Sequence, residues 1–155
     1  MKYPTGEDIL DAYWRTLLTD LRSDKKRIGP EDILRYREAF LVWSGRRHAG
    51  NGAGNSDNVL GPDFDFEHLL DFVFGWTTAT TEKGYLALVP LFSKPGDAIC
   101  VVPSLSVPLV LRPQPSASET MYVLVGPSYV HGIMDGEIMQ KLEKGEVIQV
   151  EVKLG

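Results

Sequence analysis

The sequence has one cysteine, Cys100, so no internal disulfide can form and a reduced compartment is expected. Long apolar runs are missing too. No stretch approaches the roughly 18 uninterrupted apolar residues that a spanning helix needs. Residues 1–15 carry acids where a secretory leader would have its apolar stretch. These absences predict an intracellular, cytoplasmic protein without membrane insertion. Basic residues are in the minority, 16 Lys+Arg against 21 Asp+Glu for a net charge of −5, which disfavours nucleic acid as a partner. Gly-x-Ser-x-Gly, the local signature of a nucleophile elbow, is absent. The three histidines, His48, His68 and His131, stand far apart and Cys100 falls in an expected core strand, so no metal site and no cofactor are expected.

What is present is enough for one core. A 155-residue chain buries about two-thirds of its unfolded surface, and residues 1–155 read as a single compact unit. Residues 1–48 hold 10 Lys+Arg and 8 Asp+Glu, net +2, and residues 49–155 hold 6 and 13, net −7. Periodicity divides the chain similarly, with a helical part at 1–76 and an alternating, strand-like part at 84–155. Thr5 is placed to cap a first helix, with Glu7, Asp8 and Asp11 near its positive end. Ile9, Leu10, Tyr13, Trp14, Leu17, Leu18 and Leu21 form one stripe. Pro30 fits the first turn of a second helix carrying Ile33, Tyr36, Phe40 and Trp43. Residues 44–63 are glycine-rich and read as a flexible loop. A third helix is expected at 65–75, capped by Asp65, with Phe66, Leu69, Leu70, Val73 and Phe74 buried.

From Gly84 onward, strands are expected at 85–89, 98–102, 107–112, 121–125, 129–133 and 146–154. A short helix near 136–143 is capped by Asp135 and stopped at Gly145. The last strand alternates most regularly, with Ile148, Val150, Val152 and Leu154 on one face and Gln149, Glu151 and Lys153 on the other. The expected class is α+β, about three N-terminal helices packed on a small five- to six-stranded antiparallel barrel-like sheet.

Chemistry is sparse. Ser23-x-x-Lys26 and Ser56-Asp-Asn58 match penicillin-recognising enzymes only as strings, without the third element, Lys-Thr-Gly. Gly50-x-Gly52-x-Gly54 has neither a preceding strand nor a following Gly-Lys-Ser/Thr. The basic run Lys25-Lys26-Arg27 reads as solvated loop charge. One dense polar constellation stands out, Tyr129, His131, Asp135 and Glu137. It has two readings. In one, His131, Asp135 and Glu137 bind a cation or act as acid and base, with Arg112 positioning an anionic substrate. In the other, favoured here, His131 satisfies a buried backbone group, Asp135 caps the helix, and Glu137 favours its positive end or pairs with Arg112.

Five motifs then occur in order: Gly84-Tyr-Leu-Ala-Leu-Val-Pro90, Pro95-Gly-Asp97, Val107-Pro-Leu-Val-Leu-Arg112, Tyr122-Val-Leu-Val-Gly126, and Tyr129-Val-His-Gly-Ile-Met-Asp-Gly-Glu137. Together with Tyr13-Trp-Arg-Thr-Leu-Leu-Thr-Asp20, this set resembles the C-terminal accessory region of fungal heterokaryon-incompatibility (HET domain) proteins. The sequence departs from that pattern at Ala87, at Val102–Ser106 and at Pro127-Ser128. Nothing in it resembles the HET domain itself, the N-terminal effector part tied to programmed cell death. The resemblance implies a non-catalytic regulatory or recognition domain in fungal non-self recognition. It also implies protein partners, a HET-type effector domain among them. The family motif supplies Arg112, Tyr129, His131, Asp135 and Glu137 as candidate binding residues, and Gly84, Gly96, Asp97, Pro108, Gly126, Gly132 and Gly136 as structural ones. The alternative is a small hydrolase or metal-dependent enzyme centred on His131, Asp135 and Glu137.

Overall fold

The computed structural model describes residues 2–48, 66, 70, 73–115 and 120–155 of the chain. Asp8, and not Thr5, caps the first helix. Its carboxylate accepts from the Leu10 N–H at 2.8 Å, and helix α1 runs Ile9–Leu17. Trp14, Leu17 and Leu18 of the apolar stripe are buried, but Ile9 and Tyr13 are 40% and 39% exposed, while Ala12 and Thr16 are covered instead. The cause is position: α1 contacts helix α2 (Ile33–His48) on one side and strand β2 (Leu86–Pro90) on another, so a second face is covered as well. Thr19 and Asp20 take left-handed φ values of 52° and 57°, and Asp20 N–H reaches back to the Arg15 carbonyl. That ends the helix before Leu21.

Pro30 stands in the turn before α2 and not in its first turn. α2 continues to His48, into the start of the expected loop, whose remainder lies outside the described residues. Most of the expected third helix also lies outside them. Its Phe66 and Leu70 are helical, and Phe66 packs on Phe40 and Trp43 with ring centroids 5.7 and 5.3 Å away. Phe74 corrects the expectation of burial: it lies in a turn and is 94% exposed, because the chain reverses at Gly75 to enter a strand.

The described strands are β1 (Trp76–Thr80), β2 (Leu86–Pro90), β3 (Ala98–Cys100), β4 (Leu109–Pro115), β5 (Thr120–Pro127), β6 (Tyr129–Val130) and β7 (Lys153–Leu154). The class is α+β, but the sheet differs from the single antiparallel one expected. Two sheets form, ordered β1-β2-β6 and β3-β4-β5-β7, and β5 pairs with β7 in parallel. Among the described residues they do not close into one hydrogen-bonded ring. β1 is not among the expected strands: only its first residue, Trp76, falls in the stretch read as helical, and the rest lies before the first expected strand. β5 passes through Ser128 directly into β6, so one run of chain serves both sheets. Two features turn it: a bulge where Val110 pairs with Gly126 but Leu111 pairs with Leu124, and Ser128, whose N–H and hydroxyl both donate to the Pro108 carbonyl. Ala87, Val89, Val110 and Val130 pack together from both sheets. A second cluster, Trp14, Leu17, Leu18, Ile28, Tyr36 and Phe40, fills the helical part.

Helix α3 (Glu137–Glu143) has Gly136 as its N-cap, at φ 92°, with no side-chain cap, so Asp135 is not the capping residue. Its C-terminus is a Schellman turn, with Gly145 N–H donating to the Leu142 carbonyl and Glu146 N–H to that of Lys141. The expected strand at 146–154 is reduced to Lys153–Leu154. Among the described residues no helix is long and apolar enough to cross a membrane.

Candidate functional site

The polar motif at the end of β6 closes against the N-terminal segment through His131. The β2–β6 ladder should end with Leu86 and His131 exchanging two backbone hydrogen bonds. One is present, His131 N–H to the Leu86 carbonyl at 3.0 Å. The other is opened, and the Tyr3 hydroxyl occupies the gap. It accepts from Leu86 N–H at 2.9 Å and donates to the His131 carbonyl at 2.8 Å. Burial pushes the Tyr3 hydroxyl up to about 12, so it keeps the proton that it donates. Residue 3 is thereby spliced into a sheet formed more than 80 residues later in the chain.

The buried His131 ring is held at both nitrogens. Nε2 lies 2.9 Å from Glu7 Oε1, and Nδ1 lies 2.9 Å from the Tyr129 hydroxyl. A carboxylate only accepts, so Nε2 carries the hydrogen directed at Glu7. Burial pushes the Tyr129 hydroxyl far above its usual range, so it keeps its proton and donates it to Nδ1. Burial works to raise the Glu7 carboxyl. The hydrogen bonds from His131 and Thr5 and the charge of Arg15 outweigh it, and the group is held below its usual value.

From Glu7 a chain of alternating charge runs back to the motif. Arg15 Nη1 is 3.2 Å from Glu7 Oε2, and the same guanidinium grips Asp20 with two bonds of 2.6 and 3.1 Å. Arg27 lies 3.9 Å from Asp20 and donates to Asp135 Oδ1 at 2.8 Å. The path His131, Glu7, Arg15, Asp20, Arg27, Asp135 thus starts and finishes within five residues of the Tyr129–Glu137 motif.

Tyr129, His131 and Asp135 are therefore linked through side chains of the N-terminal part, Glu7 to His131 and Arg27 to Asp135. Glu137 accepts from the Asp135 N–H at 2.7 Å. Arg112 lies elsewhere and does not pair with Glu137. It holds Asp97 through bonds of 2.9 and 2.8 Å and the Phe92 carbonyl at 2.7 Å, and Asp97 in turn accepts from Lys94 N–H. This fixes the turn around Gly96, whose φ is 92°. Cys100 has its thiol pushed up by burial, the opposite of an activated nucleophile. Among the described residues no three His, Cys, Asp or Glu side chains are grouped to hold a metal ion.

Tyr3, Glu7, Arg15, Asp20 and Arg27 are the residues the sequence did not single out for this place. Arg27, read as solvated loop charge, is a link in the chain of ion pairs. Arg15 and Asp20 do lie in the Tyr13–Asp20 stretch that carries the family resemblance, which is the one signal that points to them.

Comparison with known proteins agrees with the motif order. Over 64 residues the chain is 41% identical to heterokaryon incompatibility protein 6, OR allele, of Neurospora crassa, covering 41% of this chain and 9% of that protein. The chain therefore spans about a tenth of the length of this relative. No solved structure matches. Residues 56–150, most of the chain and all strands but β7, match the Het-6 beta-barrel domain model, so the chain belongs to the Het-6 β-barrel domain family.

Proposed function

We propose that the chain is a non-catalytic regulatory and recognition domain of fungal heterokaryon incompatibility, acting through protein partners, a HET-type effector domain among them. The observation that carries this reading is the engagement of the motif's polar groups within the fold. Both nitrogens of His131 are bonded, Asp135 is paired with Arg27, and Glu137 is bonded to backbone. An acid–base pair needs a free lone pair or proton within reach of substrate. Such an arrangement couples two parts of a protein, as a sensing domain must. The name of the Neurospora relative supports the biological setting.

The test is genetic and biochemical together. Deleting the gene should change the viability of fusions with strains carrying unlike alleles while leaving vegetative growth normal. His131→Asn should weaken that response only as far as it lowers thermal stability. Unchanged incompatibility with every tester strain contradicts the role. Loss of response in a fully stable His131→Asn protein contradicts its non-catalytic character.

A further inference from the structure

The segment 146–154 has the most regular strand pattern in the chain, yet among the described residues only its Lys153 and Leu154 pair, with Met121 and Tyr122 of β5. Ile148, Val150 and Leu154 are 83%, 65% and 58% exposed. Gly155 N–H donates to the Tyr122 carbonyl at 3.0 Å. Continued as a strand in that register, the segment directs the backbone groups of its odd-numbered residues at β5 and those of its even-numbered residues outward. An outward row of donors and acceptors beside an apolar stripe is an edge that accepts another strand.

We propose that a second copy of this chain pairs with that edge, antiparallel, about a two-fold axis at Val152. The segment's own sequence selects the register. With the axis at Val152, Val152 faces its copy, Val150 faces Leu154, and Glu151 faces Lys153, the last two pairs occurring twice by symmetry. An axis at Glu151 would set two carboxylates against each other. An axis at Val150 would leave Glu151 opposite Gln149 and Lys153 opposite Val147. An axis between residues would set apolar side chains against polar ones. The backbone agrees with the Val152 register, because the outward-facing groups of Val150, Val152 and Leu154 are then those that exchange hydrogen bonds. Glu151 and Lys153 fall at the non-hydrogen-bonded positions, where Cα atoms approach to about 4.5 Å and side chains meet most closely. The four-stranded sheets of two copies become one sheet, with Ile148, Val150, Val152 and Leu154 continuing the face that bears Tyr122 and Leu124 of β5.

Charge reversal tests this directly. Sedimentation velocity on the 155-residue chain over a range of concentrations should show a reversible dimer. Glu151→Lys sets one lysine against Lys153 in each of the two pairs, and Lys153→Glu does the converse with glutamates. Each should raise the dimer dissociation constant about tenfold or more, from two attractions turned to repulsions. The double variant restores opposite charges and should bring the constant back towards that of the unaltered chain. Where Lys153→Glu does not fold, Glu151→Lys and the double variant carry the test. A chain that is monomeric at every concentration overturns the proposal. So does a dimer indifferent to these reversals, or a monomer whose edge takes up a strand peptide of a different protein instead.

Discussion

Tyr3 shows how much one side chain can do at a sheet end. Its hydroxyl replaces a missing rung between Leu86 and His131, so Tyr3→Phe leaves one buried donor and one buried acceptor unpaired. The cost should be about 1–3 kcal/mol in chemical denaturation. Gly132 carries a related constraint. Its φ is 84°, and a Cβ there would strike the Thr5 methyl. Gly132→Ala should destabilise by at least about 1–2 kcal/mol, the left-handed penalty alone, and more if residues 3–7 are displaced.

Titration follows the same contacts. The Glu7 carboxyl is lowered despite the opposing effect of burial. Asp11 is lowered chiefly by its hydrogen bonds from Arg37, and Asp97 chiefly by those from Arg112. Depressed carboxyls contribute stability above their unfolded values, near about 4, and that contribution is lost as pH falls through the lower folded values. Acid unfolding should therefore steepen below about pH 4, and Glu7→Gln should flatten that limb. Raised Tyr3 and Tyr129 act at the other end. Their contribution is complete below about 10, the unfolded value, and is lost as pH rises, towards about 12 for Tyr3. None of these partners was legible locally: Glu7 and His131 are 124 residues apart, and nothing in the spacing of either announces the other.

At the scale of elements, local chemistry was readable wherever local geometry decided the outcome. The turn at Pro95–Asp97, the Gly145 stop of α3 and the positions of β2, β4 and β5 follow from glycine, proline and alternation. The misplaced strands have one physical origin. Alternation states what a segment can do, but a strand exists only where an edge is available, so 146–154 shrinks to two residues and Trp76–Thr80, beside the open side of β2, becomes a strand. Thr5 lost the cap to Asp8 because its hydroxyl is bound to Glu7. α1 is the element most exposed to a single change. Trp14 is fully buried, stacks on Tyr36 at 6.0 Å and donates from Nε1 to Asp11 at 2.9 Å. Trp14→Ala should cost about 3–5 kcal/mol, read from the shift in denaturation midpoint.

For the whole molecule, the helical and sheet parts have separate apolar clusters but share a polar seam. Tyr3, Glu7 and Arg27 on one side meet Leu86, His131 and Asp135 on the other. The resemblance and the class were readable from motif order, whereas the seam depends on chain folding back over more than a hundred residues. The seam makes the two parts one cooperative unit, and this is the central claim. Native-state amide hydrogen exchange tests it most directly. Amides of α1 and of the β2–β6 pair should open with the same free energy, and Tyr3→Phe should lower both by the same amount. If α1 opens separately, with the β2–β6 amides unchanged in the variant, the two parts are independent and the claim is wrong.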